Sequence, residues 1–484
     1  MQVRACENKF ASFCRYYRML DKTYMIRLHA TSLKLKAALK YNISPEKCHI
    51  GHLVLQGLLD RPNSLNQIDA ATDGRETNIS VARRSCRLAS AMQKCGLRAG
   101  DCVVLMGYNH LDLVIPFYAC HFNGYSVCNI DPSCAPVDLQ VLFPNINPKL
   151  VFCQKSCEDK VKEAFMVNNL KGEIVFFDDK DTDLEAFIRQ YKGTETNFRP
   201  AEFDHSKTNA WLMLTSGTTG LPKVVVVPYD TLLNAICCWF EPFTDKFEIV
   251  LTISSIQWMS GGIYFIGGPL RCYTRLQSSL PLTPQSIVAY INKYKPNTTT
   301  WTPCLLGQFL GAAENGSCDL SSFKTIGIGG ASIEKPLLHR VKKICQAYLY
   351  LVYSMTELMV PVFDFDEDTP EKSSGYPKDK YQFKIAPLQM EEVIKRHPGV
   401  DDACVVGIPD TSTMEIPIAA IQRRKGHKVD PQEIFRLLKD VLPEQNQIHG
   451  GIFFVDSFPM TPSGKVNRAK VRDQALTSPR ILPK

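Results

Sequence analysis

No run of about 18 apolar residues occurs in the 484-residue sequence, so nothing in it reads as a stable membrane span. Low-complexity tracts and internal repeats are also missing, which excludes solenoids and disordered scaffolds. The 18 cysteines include no C-x-x-C pair, and the ten histidines include no H-E-x-x-H. Zinc chemistry is therefore not expected, and the thiols read as reduced and mostly buried. The net charge of +7 is confined to residues 1–45, which hold nine Lys/Arg against two Asp/Glu. The remainder is neutral, so no nucleic-acid partner is expected. The basic stretch is compatible with a transit peptide or with an N-terminal extension. The last residues, Arg-Ile-Leu-Pro-Lys, lack a Ser-Lys-Leu type of address.

What is present is an α/β alternation. Val81–Met92 has helical apolar spacing and ends at Gly96 and Gly100-Asp101. Cys102–Met106, Tyr125–Ile130, Pro148–Cys153 and Glu173–Phe177 read as buried strands, with a helix at Leu111–Asn123. This pattern predicts parallel sheets covered by helices. A second α/β block is expected over Phe243–Leu351. Asp364–Lys380 reads as a linker, and beyond it a compact α+β unit is expected. Its helices are Pro387–Arg396 and Pro431–Val441, and its strands Ala403–Ile408 and Gly451–Val455.

Three motifs carry chemistry. Thr215-Ser216-Gly217-Thr218-Thr219-Gly220-Leu221-Pro222-Lys223 joins two apolar strands, Ala210–Leu214 and Val224–Val227. Glycines free backbone N–H groups to face an anion, hydroxyls add donors, and Lys223 adds a compact positive charge. An ordinary polar hairpin turn has similar composition. A Walker loop is excluded, because Lys223 follows Pro222 and Gly464-Lys465 is followed by Val466. Tyr353-Ser354-Met355-Thr356-Glu357 offers a carboxylate for a divalent cation, a hydroxyl for phosphate and a ring for stacking; it also fits a helix start capped by Thr356. Thr461-Pro462-Ser463-Gly464-Lys465 offers a flexible lysine able to lower the repulsion between two reacting anions, although a lysine in a basic tail is usually only solvated. Two weaker signals accompany these. Thr325–Ser332 runs from a strand into small residues, which suit either a planar ligand or a tight strand–helix turn. Trp258, in Ser255–Gly262, suits either a pocket wall or the core.

Together these motifs, with Arg75-Glu76-Thr77 and Gly96–Asp101, resemble the adenylate-forming superfamily of acyl-CoA synthetases, 4-coumarate–CoA ligases and firefly luciferases. The likeness spans about Ile43 to Asp473. It implies a large α/β N-terminal domain of two covered, mostly parallel sheets with a truncated β-subdomain, and a small α+β C-terminal domain. The expected segments are a basic extension (1–42), an adenylation domain (43–375), a linker (376–381), the C-terminal domain (382–475) and a tail (476–484). The implied function is activation of a fatty or aryl-propenoic carboxylic acid by ATP, with transfer to CoA. The phosphate loop, from Thr215 to Gly220 with Lys223, would bind ATP with Gly330, Ala331 and Tyr353. Glu357 would hold Mg²⁺, and Thr356 and Lys465 would serve catalysis. Trp258, Gly262 and Gly329 would border the acyl group. A peroxisomal or cytosolic location follows from the same likeness.

The pattern departs from the family in several places. Val352-Tyr353-Ser354 replaces the usual Gly-Tyr-Gly, Val224 stands for Gly, and no His occupies the luciferase position near Trp258. The stretch from Glu357 to Lys465 is several dozen residues shorter than in relatives. It lacks the Tyr-x-x-Gly-Asp segment that holds ribose and the Gly-Arg-x-Lys hinge. A non-catalytic adenylate-fold binder or a deletion isoform is therefore the alternative expectation.

Overall fold

The computed structural model describes residues 31–179, 183–215, 223–240, 248–331, 333, 335–364, 376–377, 387–410, 414–442, 447–460 and 466–483. The chain divides into two compact units, Met1–Lys378 and Asp379–Lys484.

In the large unit, β1 (Leu65–Asp69) and β2 (Gly74–Thr77) form an antiparallel pair. The first sheet then follows: β3 (Cys102–Met106), β4 (Ser126–Asn129), β5 (Pro148–Cys153), β6 (Glu173–Phe176), β7 (Asn209–Thr215) and β8 (Lys223–Pro228). Its order is β6-β5-β3-β4-β7-β8, parallel except where β7 meets β8. β3 is buried at every residue, as expected of a parallel strand covered on both faces. Helices cover it because their apolar stripes need a partner. The helix Val114–Asn123 is buried along its length and ends at Gly124 with φ +75°. A Cβ there would lie 2.5 Å from the Phe203 ring, so both conformation and space require glycine.

The second sheet comprises β9 (Ile249–Leu251), β10 (Thr274–Gln277), β11 (Thr298–Trp301), β12 (Thr325–Gly329) and β13 (Tyr348–Val352). β1 and β2 return to it, giving the order β13-β12-β11-β9-β10-β1-β2. The expected second block therefore lacked two strands that lie far upstream. Its core is formed by Trp301, Phe309, Phe323, Ile326 and Ile328 under the helices Pro284–Tyr294 and Pro303–Glu314. At the start of the predicted linker, β14 (Phe363–Asp364) pairs with β15 (Tyr376–Pro377), inside it, in a two-residue antiparallel ladder.

In the small unit, β16 (Val400–Asp410) and β17 (Met414–Arg423) form a long hairpin, with β18 (Ile452–Val455) parallel to β17. Met390, Ile394, Val405, Ile421, Ile434 and Leu438 form one core between this sheet and the helices Pro387–Ile394 and Pro431–Val441. Buried Glu391 accepts Nη1 and Nη2 of Arg468 at 2.6 and 2.9 Å and the Val405 amide at 2.7 Å. A buried carboxylate held by a guanidinium fork and a backbone amide is fully compensated. Among the described residues, no helix is long and apolar enough to cross a membrane.

Candidate active site

In open α/β sheets, ligands gather outside the carboxyl ends of the strands. β9, β11, β12 and β13 run parallel, so Thr252–Trp258, Thr302, Gly329–Ala331 and Tyr353–Glu357 leave the second sheet at one edge. Gly329 is buried, and a Cβ there would approach the Val352 carbonyl oxygen to 2.8 Å. The branched residue at 352 is thus accommodated by the bare glycine beside it. Gly330 adopts φ +85°, turns the chain at the exposed rim, and faces the Thr302 methyl. Ala331 beside it is exposed.

After β13 the chain makes a closed loop. Val362 N donates to Tyr353 O at 3.1 Å, and Ser354 Oγ donates to Val360 O at 2.7 Å. Trp239 Nε1 fixes the back of the loop by donating to Met359 O at 2.8 Å. Residues 356–358 form a turn rather than a helix, so Thr356 is not a helix cap. Tyr353 meets Phe363 edge-on, 5.5 Å between centroids, and remains 46% exposed, leaving ring surface for a planar ligand. Glu357 is exposed and has no ion pair among the described residues.

The Trp258 loop joins this edge to the first sheet. Asn109, just past β3, donates its Nδ2 to Ser254 O at 2.9 Å, and Gln257 Nε2 donates to Asp131, just past β4, at 3.1 Å. These bonds bring the carboxyl edges of both sheets to one seam. Trp258 is 60% exposed, so it is not a core residue. Gly262 has a different setting: it is buried, and a Cβ there would lie 3.1 Å from the Trp211 ring, which makes it a packing contact.

Ser216, Gly217, Thr218, Thr219 and Gly220 lie outside the described residues, as does Lys465. The bases of both segments are described. Half-buried Thr215 and exposed Lys223 are partners in the β7–β8 ladder. Met460 and Val466 form an antiparallel bridge, with Asn467 N donating to Pro459 O at 2.7 Å. Three polar atoms at the seam had not been anticipated: Asn109 Oδ1, Asn129 Oδ1 and Thr252 Oγ1 are buried without a partner among the described residues. Each follows or ends an apolar strand, and that position was the available signal. Buried polar atoms of this kind normally have a partner, so they are natural contacts for a ligand or water. No group of three or more His, Cys, Asp or Glu capable of holding a metal occurs among the described residues.

Two covered parallel-rich sheets whose carboxyl edges are joined at the Trp258 loop, with a glycine turn and a Thr-Glu loop leaving the second, and a small α+β unit in the same chain, define an adenylate-forming fold. The chain belongs to the AMP-binding enzyme family: that family's profile matches residues 65–400, and the profile of the AMP-binding enzyme C-terminal domain matches 389–465. The luciferin 4-monooxygenase of Photinus pyralis is 25% identical, with 84% of this chain and 90% of the relative aligned. A 4-coumarate–CoA ligase of Humulus lupulus is 23% identical over 87% of this chain and 92% of the relative. The solved anthranilate CoA ligase in complex with anthranoyl-AMP superposes with a TM-score of 0.64 at 16% identity, covering 89% of this chain and 98% of that one. The Photinus alignment runs over 498 positions while using 84% of a 484-residue chain, so the relative carries residues opposite gaps here.

Proposed function

We propose that this protein is an acid–thiol ligase. A carboxylate oxygen attacks the α-phosphorus of ATP, the acyl–phosphate bond forms, and pyrophosphate leaves. A CoA thiolate then attacks the acyl carbon and AMP departs. The observation that carries this reading is the Tyr353–Glu357 loop closed beside the Gly329–Gly330 turn, with a ring, a hydroxyl and an exposed carboxylate at one sheet edge.

In this reading Tyr353 stacks on the adenine, and the backbone at Gly330 and Ala331 lies along it. Thr356 holds the α-phosphate. The Ser216–Thr219 hydroxyls, the Gly217 and Gly220 amides and Lys223 retain the pyrophosphate. Exposed Glu357 would hold Mg²⁺, which would supply charge neutralisation at the phosphates. Lys465 would lower the repulsion between the two reacting anions. Exposed Trp258 walls a fatty or aryl-propenoic acid, and Gly329 borders it. A peroxisomal or cytosolic location belongs to the same proposal.

A second reading, a nucleotide or partner binder without turnover, is favoured by the sequence between Glu357 and Lys465, in which the Tyr-x-x-Gly-Asp and Gly-Arg-x-Lys segments have no counterpart. Carboxylate-dependent ATP–pyrophosphate exchange separates the two. Exchange with a fatty or cinnamic-type acid, lost in Lys465→Ala, supports the ligase. Thermal stabilisation by ATP with no exchange across both acid classes supports the binder.

A further inference from the structure

A cavity lined mainly by helices lies elsewhere in the large unit. It has a volume of about 770 Å³, within the range of small-molecule sites, and shares no lining residue with the candidate active site. Its walls come from the helical stretch 31–41, the helices Ile50–Asp60 and Asn78–Lys94, and the segment 192–199. Leu55, Leu59, Ile79, Ala82 and Phe198 give it an apolar lining. Leu59 is 37% exposed, so part of this apolar lining is open to solvent.

The charge around this lining is one-sided. Lys40, Arg83, Arg87, Lys192 and Arg199 reach it, against the single carboxylate of Glu195. That carboxylate is already committed. It accepts Arg87 Nη2 at 2.5 Å and the Gly193 amide at 2.7 Å, and the Arg87 hydrogen bond holds its pKa down at about 2. Arg199 donates Nη1 to Tyr41 O at 3.0 Å and has no ion pair among the described residues. Lys40, Arg83 and Lys192 are exposed and have no ion pair among the described residues. Tyr41 lines the cavity and is only 7% exposed, yet its hydroxyl has no hydrogen-bond partner among the described residues. Converging like charges repel, and a concave, partly apolar wall strengthens their field. An anion relieves that repulsion, and an attached alkyl chain covers the lining.

We propose that this cavity binds a small amphipathic anion, a carboxylate- or phosphate-headed molecule with a single apolar chain. The head is held by Arg83, Lys192 and Lys40, and the chain lies on Leu55, Leu59 and Phe198. This proposal stands independently of the ligase reading.

The test is isothermal titration calorimetry of the full chain with decanoate, decyl phosphate, decanol and inorganic phosphate, all below micellar concentration. The expected result is saturable one-to-one binding of decanoate or decyl phosphate, with decanol and inorganic phosphate much weaker; which headed compound binds identifies the head. The double variant Arg83→Ala, Lys192→Ala should bind at least tenfold more weakly at an unchanged melting temperature, as expected for loss of charge-assisted contacts. The charge-keeping pair Arg83→Lys, Lys192→Arg should retain binding, and so should Trp258→Ala, which alters the acyl side of the other site. Three results would overturn the proposal: no saturable binding, equal binding of decanol or inorganic phosphate, or binding unchanged by the double alanine variant.

Discussion

The two sheets of the large unit have different interiors. β3 is apolar from end to end, and Phe152 on β5 is fully buried, so the first sheet is held mainly by the area it removes from water. The second sheet buries a guanidinium. Arg275 on β10 is 0% exposed and donates to the side-chain oxygens of Asn66, Gln67 and Gln277 at 3.2, 2.8 and 3.1 Å, over the Phe265 ring at 3.9 Å. Apolar burial is non-directional and tells a strand only to be inside. A network of amides around one guanidinium is directional and fixes which strand lies beside which. The sheet holding β1, which returns from far upstream, is the one that carries this network. The same sheet ends in the Gly330 turn and the Tyr353–Glu357 loop.

Breaking the apolar sheet should cost the most stability. Phe152→Ala is expected to destabilise by about 3–5 kcal/mol in urea denaturation, with exchange activity per folded molecule unchanged. A smaller loss of stability with a larger loss of activity would remove the distinction between the sheets. Breaking the polar sheet at its functional end should do the reverse. Gly330→Val forces a β-branched residue to φ +85° at an exposed rim, so the fold should survive while exchange falls roughly 100-fold from a displaced strand end. Wild-type exchange in that variant would sever the turn from the site.

Arg275→Met keeps volume but removes guanidinium donors from three buried amide oxygens, of which only Gln67 Oε1 retains another, Gln277 Nε2 at 3.2 Å, among the described residues. A loss of about 1–3 kcal/mol is expected, and double-mutant cycles with Gln67→Leu should show strong coupling. Additive losses would mean the network does not act as a unit.

The smallest effect concerns pH and sharpens the comparison from the first sheet, which has a polar attachment of its own. Trp211 Nε1 on β7 donates to His121 Nε2 at 3.1 Å, so the ring proton sits on Nδ1, facing Tyr229 Oη at 3.3 Å. Burial pushes the His121 pKa from 6.5 down to about 3 and that of His52 to about 4. Folded values below the unfolded value mean that the unfolded chain binds more protons. Stability is therefore full above pH 6.5 and falls as pH drops toward these values, by about 1 kcal/mol per unit for each group. Urea midpoints between pH 7.5 and 5 should show this slope, and His121→Gln should lower it by one group's share, since burial also lowers the pKa of His49, His52 and His110. An unchanged slope in that variant would assign the effect elsewhere.

Local elements were legible because their signals are local. Cys102–Met106 and Pro148–Cys153 are continuous apolar runs, and Pro431–Val441 begins with an Asp430 cap, its carboxylate accepting Gln432 N at 3.0 Å. Gly262 was less legible. Its small size suited a ligand border as well as it suits Trp211, and sequence alone does not show which neighbour a glycine admits. Trp258 stands in an apolar run yet lies open, because Gln257 and Ser254 are tied to the other sheet and hold the loop at the seam. The return of Leu65–Thr77 to the second sheet was not visible either, since periodicity specifies a strand and a buried face but not its neighbour.

The sequence by itself determined the family, through motifs whose residue types the chemistry of phosphate and carboxylate demands, and the α/β alternation, through periods set by backbone geometry. Tertiary structure alone decided that Arg275 meets Gln67 across more than two hundred residues, that the edges of both sheets meet at Ser254–Trp258, and that five cations surround a cavity with one carboxylate. Such contacts depend on long-range pairing, whose energy comes from surfaces buried together and dipoles aligned across the fold, and neither exists until the chain has closed.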